Sequence, residues 1–141
     1  MTGILVPFDG SESALRAVTY AITHAKQTRS VVHVLNVQRP MDDYGMVSAY
    51  VTRERYRSMA SERGKTTLIP AVKRLQGSRV EYAVHILHGE IAETIVRAAR
   101  RLKCDSIVMG TRGMGAIGNL VLGSVANKVI HLATIPVTLV K

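Results

Sequence analysis

Short apolar runs alternate with helical stripes along the whole chain, and this alternation limits the fold more than any other feature. GILVPF, over 3–8, has a strand's composition, and Leu15, Val18, Ala21, Ile22 and Ala25 follow at helical spacing. VVHVLNV, over 31–37, is β-branched and apolar on both faces, as in a buried parallel strand. Residues 38–48, with Pro40, Asp42, Asp43 and Gly45, read as a loop. The charged segment 49–76 reads as a helix that Pro70 should kink or break. VEYAVHIL, over 80–87, puts Val80, Tyr82, Val84 and Ile86 on one face and Glu81 and His85 on the other, which suits an edge strand. Ile91, Ile95, Val96, Ala99 and Leu102 mark another helix, and SIVMG, over 106–110, a buried strand. Val125, Val129, Leu132 and Ala133 mark the last helix, and PVTLV, over 136–140, the last strand.

Five strands with helices between them imply an α/β fold: a doubly wound, Rossmann-like parallel sheet with helices on both faces and right-handed crossovers. At 141 residues, with no linker or repeat, one domain over 1–141 is expected. In such sheets ligands bind beyond the carboxyl ends of the strands, where strand order reverses. The two strand ends with turn chemistry are PFDGSES after strand 1, starting at Pro7, and the glycine stretch after strand 4. They meet only if strands 1 and 4 are neighbours, which alternation alone does not fix.

That stretch, GTRGMGAIGNLVLGS over 110–124, has five glycines between a buried strand and a helix. Glycine there costs folding entropy, so something must need backbone freedom or bare N–H groups. Gly110 ends a strand, where bare backbone admits a ligand. Gly113 allows the positive φ of a tight turn, and Gly123 breaks the segment before the helix. Ser124 is an N-cap candidate for a helix starting near Val125. A helix N-terminus beside a glycine loop makes an anion site; glycines that only shape a βα connection are the plain alternative. The stretch lacks the Gly-Lys-Ser/Thr ending of a Walker A loop, and GMGAIG, over 113–118, matches GxGxxG by letter after the wrong strand. Asp9 could accept hydrogen bonds from a ribose or an adenine amino group. It could equally cap a helix with Glu12, Ser11 being the rival cap. Arg112 could neutralise a terminal phosphate or stay solvated.

The formal charge of +9 and a pI near 10.2 allow nucleic acid, anionic surfaces or anionic small ligands as partners. The basic residues are spread out, densest as Arg53, Arg55, Arg57, Arg63, Lys65, Lys73 and Arg74 against Glu54 and Glu62. With one Phe and no Trp there is no aromatic interleaving for single-strand stacking, which argues against nucleic acid as the main partner. No apolar run is long enough to span a membrane, residues 1–8 are too short for a secretory signal, and a cytoplasmic location is expected. Cys104, the one cysteine, reads as a small packed residue. His33 reads as a satisfied buried histidine, and His24, His85, His88 and His131 show no metal spacing. There is no GxSxG elbow, no HExxH and no paired acidic motif, so no catalytic residue and no protein metal site are assigned.

VPFDGSESALRAV, HGEIAETIV and DSIVMGTRGMGAIGNLVLGSVANKVIHLATIPVTLVK together resemble the universal stress protein family over essentially the whole chain, least so over 38–78. The most specific part is the family's nucleotide pattern Gly-x2-Gly-x9-Gly-Ser/Thr, complete here as Gly110, Gly113, Gly123 and Ser124. The resemblance implies the strand order 3-2-1-4-5 and ATP, or AMP in its place, bound where strands 1 and 4 meet. Pro7 and Asp9 would then line the adenosine end, and Val34 would hold the adenine through its backbone. Gly110, Arg112 and Gly113 would approach the ribose and phosphates, and Gly123, Ser124 and Val125 would grip the phosphates. Mg²⁺ or Mn²⁺ would bridge the phosphates. It also implies a homodimer through strand 5, with Val137 and Leu139 at the contact. The missing lysine and catalytic carboxylate favour a nucleotide-dependent regulatory module over a slow ATPase or phosphotransferase. A basic interaction protein for nucleic acid or anionic surfaces is the remaining alternative.

Overall fold

In chain order the elements are β1 (Gly3–Pro7), α1 (Glu12–Thr28), β2 (Val31–Gln38), α2 (Arg53–Gln76), β3 (Tyr82–His88), α3 (Ile91–Arg101), β4 (Cys104–Gly110), α4 (Ser124–Leu132) and β5 (Val137–Val140). They come from a computed structural model that describes residues 2–40, 52–113 and 122–141. Residues 41–48 of the loop expected over 38–48, the first residues of the expected second helix, and Gly115 and Gly118 of the glycine stretch lie outside the described residues.

The strands form one parallel sheet in the order β3-β2-β1-β4-β5. Order reverses at β1: the chain winds outward to β2 and β3, then returns to β4 on the other side. The loops leaving β1 and β4 therefore part in opposite directions and open a cleft at their carboxyl ends. β3 is an edge strand, as its two-faced pattern predicts.

Alternation along the strands divides the core into two layers. Ile4, Val6, Val32, Val34 and Val108 face α1 and α2, whose Ala17, Val18, Ala21, Leu68, Ala71 and Leu75 pack on them. Leu5, Leu35, Ile107 and Met109 face α3 and α4, meeting Ile95, Ala98, Ala99, Ala126 and Val129. β1 is buried on both faces over Ile4, Leu5 and Val6, and β4 over Ile107, Val108 and Met109, as their apolar runs require. Each fully buried Leu or Ile contributes about 1.5–3 kcal/mol.

Helix α2 departs from expectation, since it runs unbroken through Pro70. Pro70 is exposed, as is Thr66, whose carbonyl loses the N–H partner that a residue other than proline would supply. Leu68 and Ala71, on either side, are 1% and 0% exposed and hold both halves of the helix on the sheet. Cys104 packs as expected, buried against α3, and burial pushes its thiol up to about 11. His33 is half-buried and bonds His85 across the sheet, Nδ1 to Nε2, at 3.0 Å.

Candidate functional site

At the carboxyl ends of β1, β2 and β4 lies a cavity of about 410 Å³. Its floor and one wall are apolar: Leu35 and Met109 from the strands, Ile91 and Ile95 from α3. The polar groups collect where the loops after β1 and β4 meet. Pro7, Asp9, Gly110, Arg112, Gly113, Gly123, Ser124 and Val125 all line this one cavity, so eight of the nine residues expected at the site come together.

Val34 is the ninth and is not among them. It is 0% exposed and sits mid-strand between Val6 and Val84, facing the α1–α2 layer. The part of β2 that reaches the cleft lies further along: Leu35, Asn36 and Val37 line it. Strand length decides this. β2 continues past Val34 to Gln38, and the residues that line the cleft begin at Leu35, the next position.

The turn after β1 is built by side chains. Oδ1 of Asp9 accepts the Ser11 N–H at 2.9 Å, and Gly10 takes a φ of 89°, open to glycine at little cost. Ser11, not Asp9, is the N-cap of α1, its hydroxyl accepting the Ala14 N–H at 3.2 Å. Asp9 thus shapes the turn with one oxygen, while the other lies against Gly113. A Cβ on Gly113 would stand 2.7 Å from Asp9 Oδ2. Space, not a positive φ, is what this position requires, because Gly113 is not among the residues with positive φ.

Gly110 is also explained by packing rather than by open backbone. A Cβ there would overlap the Ser13 hydroxyl and come within 2.8 Å of the Ala14 nitrogen. This close approach lets the Ser13 hydroxyl donate to the Arg112 carbonyl at 2.6 Å and ties the loop after β4 to the first turn of α1. Thr111, buried, is pinned between β5 and α4: its N–H donates to the Val140 carbonyl at 3.0 Å and its carbonyl accepts the Gly123 N–H at 2.6 Å.

The cap of α4 is Gly123, and Ser124 is the first helical residue. Among the described residues no side chain makes a cap hydrogen bond to this helix. The Ser124 hydroxyl is exposed at the cleft, and the N–H groups of the first turn point the positive end of the helix dipole into it. Arg39 and Arg112, both exposed, add positive charge at the rim. Asp9 is the one carboxylate among the described lining residues. The arrangement can hold an anion at α4, accept hydrogen bonds from a polyol at Asp9, and stack a flat apolar group against α3 and β2.

Asn36 was missed in the sequence. It is buried, donates to the Phe8 carbonyl at 2.9 Å and accepts from Gln38 at 2.7 Å, bracing the β1 exit against β2. Its polar side chain inside an otherwise apolar run was the available signal. His88 lines a separate hollow with Arg53, Tyr56 and Arg57, and burial, then the Arg57 charge, hold its imidazole below the usual histidine range. Among the described residues no three His, Cys, Asp or Glu side chains converge on a metal position, and no helix is long and apolar enough to cross a membrane.

A universal stress protein of Thermus aquaticus is 36% identical over 138 residues, covering 98% of this chain and 97% of its own. Among solved structures, the hypothetical protein MJ0577, subject of a structure-based assignment of biochemical function, superposes with a TM-score of 0.86 at 26% identity, over 99% of this chain and 95% of its own. A universal stress protein from Archaeoglobus fulgidus, solved in complex with dAMP, gives a TM-score of 0.73 at 26% identity, over 100% and 98%. The family model described as the universal stress protein family matches residues 1–141. With the five-stranded parallel sheet, the glycine pattern and the cleft they form, this match places the chain: it belongs to the universal stress protein family.

Proposed function

We propose that this chain is an ATP-binding stress-response protein of the cytoplasm. Its 141 residues act as one domain, and nucleotide occupancy regulates an interaction rather than feeding a reaction. The observation that carries the reading is the α4 N-terminus: uncapped by any side chain among the described residues, held by the Gly123–Thr111 bond, and opening into the same cavity as Asp9 and Gly113. The cavity volume lies in the range that holds small ligands. The dAMP complex of the Archaeoglobus relative supports an adenine nucleotide as the ligand class.

In this reading the N–H groups of Ser124 and Val125 and the Ser124 hydroxyl bind the phosphates, with Arg112 reaching the outermost one. Asp9 accepts from the ribose, and the adenine lies against Val37 and the apolar wall of Ile91 and Ile95. AMP would use the ribose and base contacts and reach less of α4. The cleft's donors fit Mg²⁺ or Mn²⁺ only as an ion carried on phosphate oxygens, Asp9 being the one carboxylate among the described lining residues. β5 is an outer strand paired only with β4 among the described strands, and Leu139 is 36% exposed on it. An apolar sheet edge of this kind needs covering, which supports a homodimer closing β5 on its mate through Val137 and Leu139.

Calorimetric titration with ATP, with and without Mg²⁺, and with AMP and GTP, tests the site against Ser124→Glu. A carboxylate at the first position of α4 favours the helix dipole but repels phosphate. The variant should melt no lower than the parent and lose ATP by tenfold or more. Equal ATP affinity in both proteins would overturn the assignment of the phosphates to α4.

A further inference from the structure

Helix α2 carries two stripes. The inner one, Tyr56, Ala60, Gly64, Leu68, Ala71 and Leu75, is buried. The outer one is Arg55, Met59, Glu62, Thr66, Ile69 and Lys73, alternately four and three residues apart, and every member is exposed. Such spacing puts them in one line along the helix, about 27 Å long at 1.5 Å per residue. Met59 is 46% and Ile69 48% exposed, so neither adds much to the core. They stand about 15 Å apart with a cation beyond each. A shallow hollow lined by Ser58, Met59, Arg63 and Thr66 opens beside the line.

We propose that this outer stripe docks an acidic amphipathic helix of another protein. The partner's apolar residues would seat on Met59 and Ile69, and its carboxylates would face Arg55, Arg63 and Lys73.

Charge is the first reason. α2 holds seven basic residues against Glu54 and Glu62, a net +5 of the chain's +9. Glu62, the one acid on the stripe, is answered within the helix by Lys65 at 3.2 Å. The guanidinium of Arg63 is held over the Tyr56 ring, 5.6 Å from its centroid, which reduces the entropy lost when a carboxylate binds it. Composition is the second reason. Five of the seven cations are arginine, and arginine and methionine are enriched at protein interfaces where lysine is depleted. A phosphate backbone would use the charges and leave Met59 and Ile69 without a role. A lipid surface calls for a broad apolar face, and here charged or polar residues separate two apolar ones. A second copy would meet like charge. The stripe is straight and follows the helix axis, which fits a helix laid alongside it. None of its residues lines the nucleotide cleft, so the inference stands apart from ATP binding.

The probe is a labelled, Glu-rich helical peptide of about 20 residues, long enough to match the stripe, with two leucines at the spacing of Met59 and Ile69. Fluorescence anisotropy at low salt compares it with a scrambled peptide of equal composition, a short DNA duplex and phosphatidylserine vesicles. The patterned peptide should bind tightest. Arg55→Glu with Lys73→Glu should weaken it about tenfold or more, and Met59→Ser with Ile69→Ser several-fold without changing the salt dependence. Arg97→Glu with Arg101→Glu, on α3, should matter much less. All these sites are exposed, and circular dichroism checks that each variant folds. Binding that is equal for the scrambled peptide, as tight for duplex or vesicles, absent altogether, or unmoved by the α2 variants would overturn the proposal.

Discussion

The Ser13 hydroxyl donates to the Arg112 carbonyl at 2.6 Å, across 99 residues of sequence. That bond joins the start of α1 to the glycine loop and is possible only because Gly110 has no side chain to separate the two. Ser13→Ala should cost about 1 kcal/mol of stability. Gly110→Ala should cost about 1–3 kcal/mol, since its methyl meets the backbone of Ser13 and Ala14. Gly77→Ala is the control. Nothing lies within 3.8 Å of its would-be Cβ, and it should be neutral or slightly stabilising. Urea unfolding midpoints of the three variants check the order.

Gly113 should behave differently. It is exposed, and among the described residues a methyl there crowds Asp9 Oδ2, at 2.7 Å. The carboxylate must then turn, and with it the oxygen that holds the Ser11 N–H at 2.9 Å. Gly113→Ala should leave the melting temperature within about 2 °C, in line with a small surface change. If the cleft binds ATP as proposed, affinity should fall about tenfold. Calorimetry beside thermal melts separates the two effects. A large drop in melting temperature with unchanged affinity would make Gly113 architectural.

The sequence was most legible where one period ran unbroken. Ile4, Leu5 and Val6, all buried, and Val18, Ala21, Ile22 and Ala25 of the first helical stripe, buried too, could be placed because their spacing has one reading. The glycine pattern located the loops at the cleft, but the reasons for its glycines belong to tertiary packing. Gly110 answers to Ser13, far away in the chain but adjacent in space, and Gly113 answers to Asp9. The cap of α4 was off by one residue because Ser124 has a capping side chain, whereas the Gly123 N–H is fixed by the Thr111 carbonyl, which no local rule reveals. Which part of the apolar run of β2 reaches the cleft is not legible from spacing: Leu35, Asn36 and Val37 line the cavity, and Val34 stands just before them.

Pro70 makes a stability prediction. It is exposed within α2, and its ring leaves the Thr66 carbonyl without an N–H partner in the helix. Pro70→Ala restores that donor without touching the buried stripe. It should stabilise by about 1–3 kcal/mol and raise the melting temperature by several degrees. A lower melting temperature would mean that the proline's stiffening of the unfolded chain outweighs the missing bond.

The His33–His85 pair should make stability depend on pH. The bond at 3.0 Å uses one ring N–H and one ring lone pair, and a proton on each ring would set N–H against N–H. Burial lowers both imidazoles from the ordinary 6.5, and the His33 charge lowers His85 further. Cys104, beside His33 across Gly3, stays a neutral thiol in this range because burial raises it to about 11. A histidine lowered in the folded state binds its proton more readily when unfolded. Its contribution is therefore intact above about 6.5, the unfolded value. It is lost as pH falls from there through the lowered folded values. Urea midpoints measured from pH 8 to pH 5 should fall below pH 6.5, and His33→Gln with His85→Gln should flatten most of that fall. A residue of slope from His88, lowered by burial and Arg57, should remain. If the double variant shows the parent's full pH dependence, the pair is not its source.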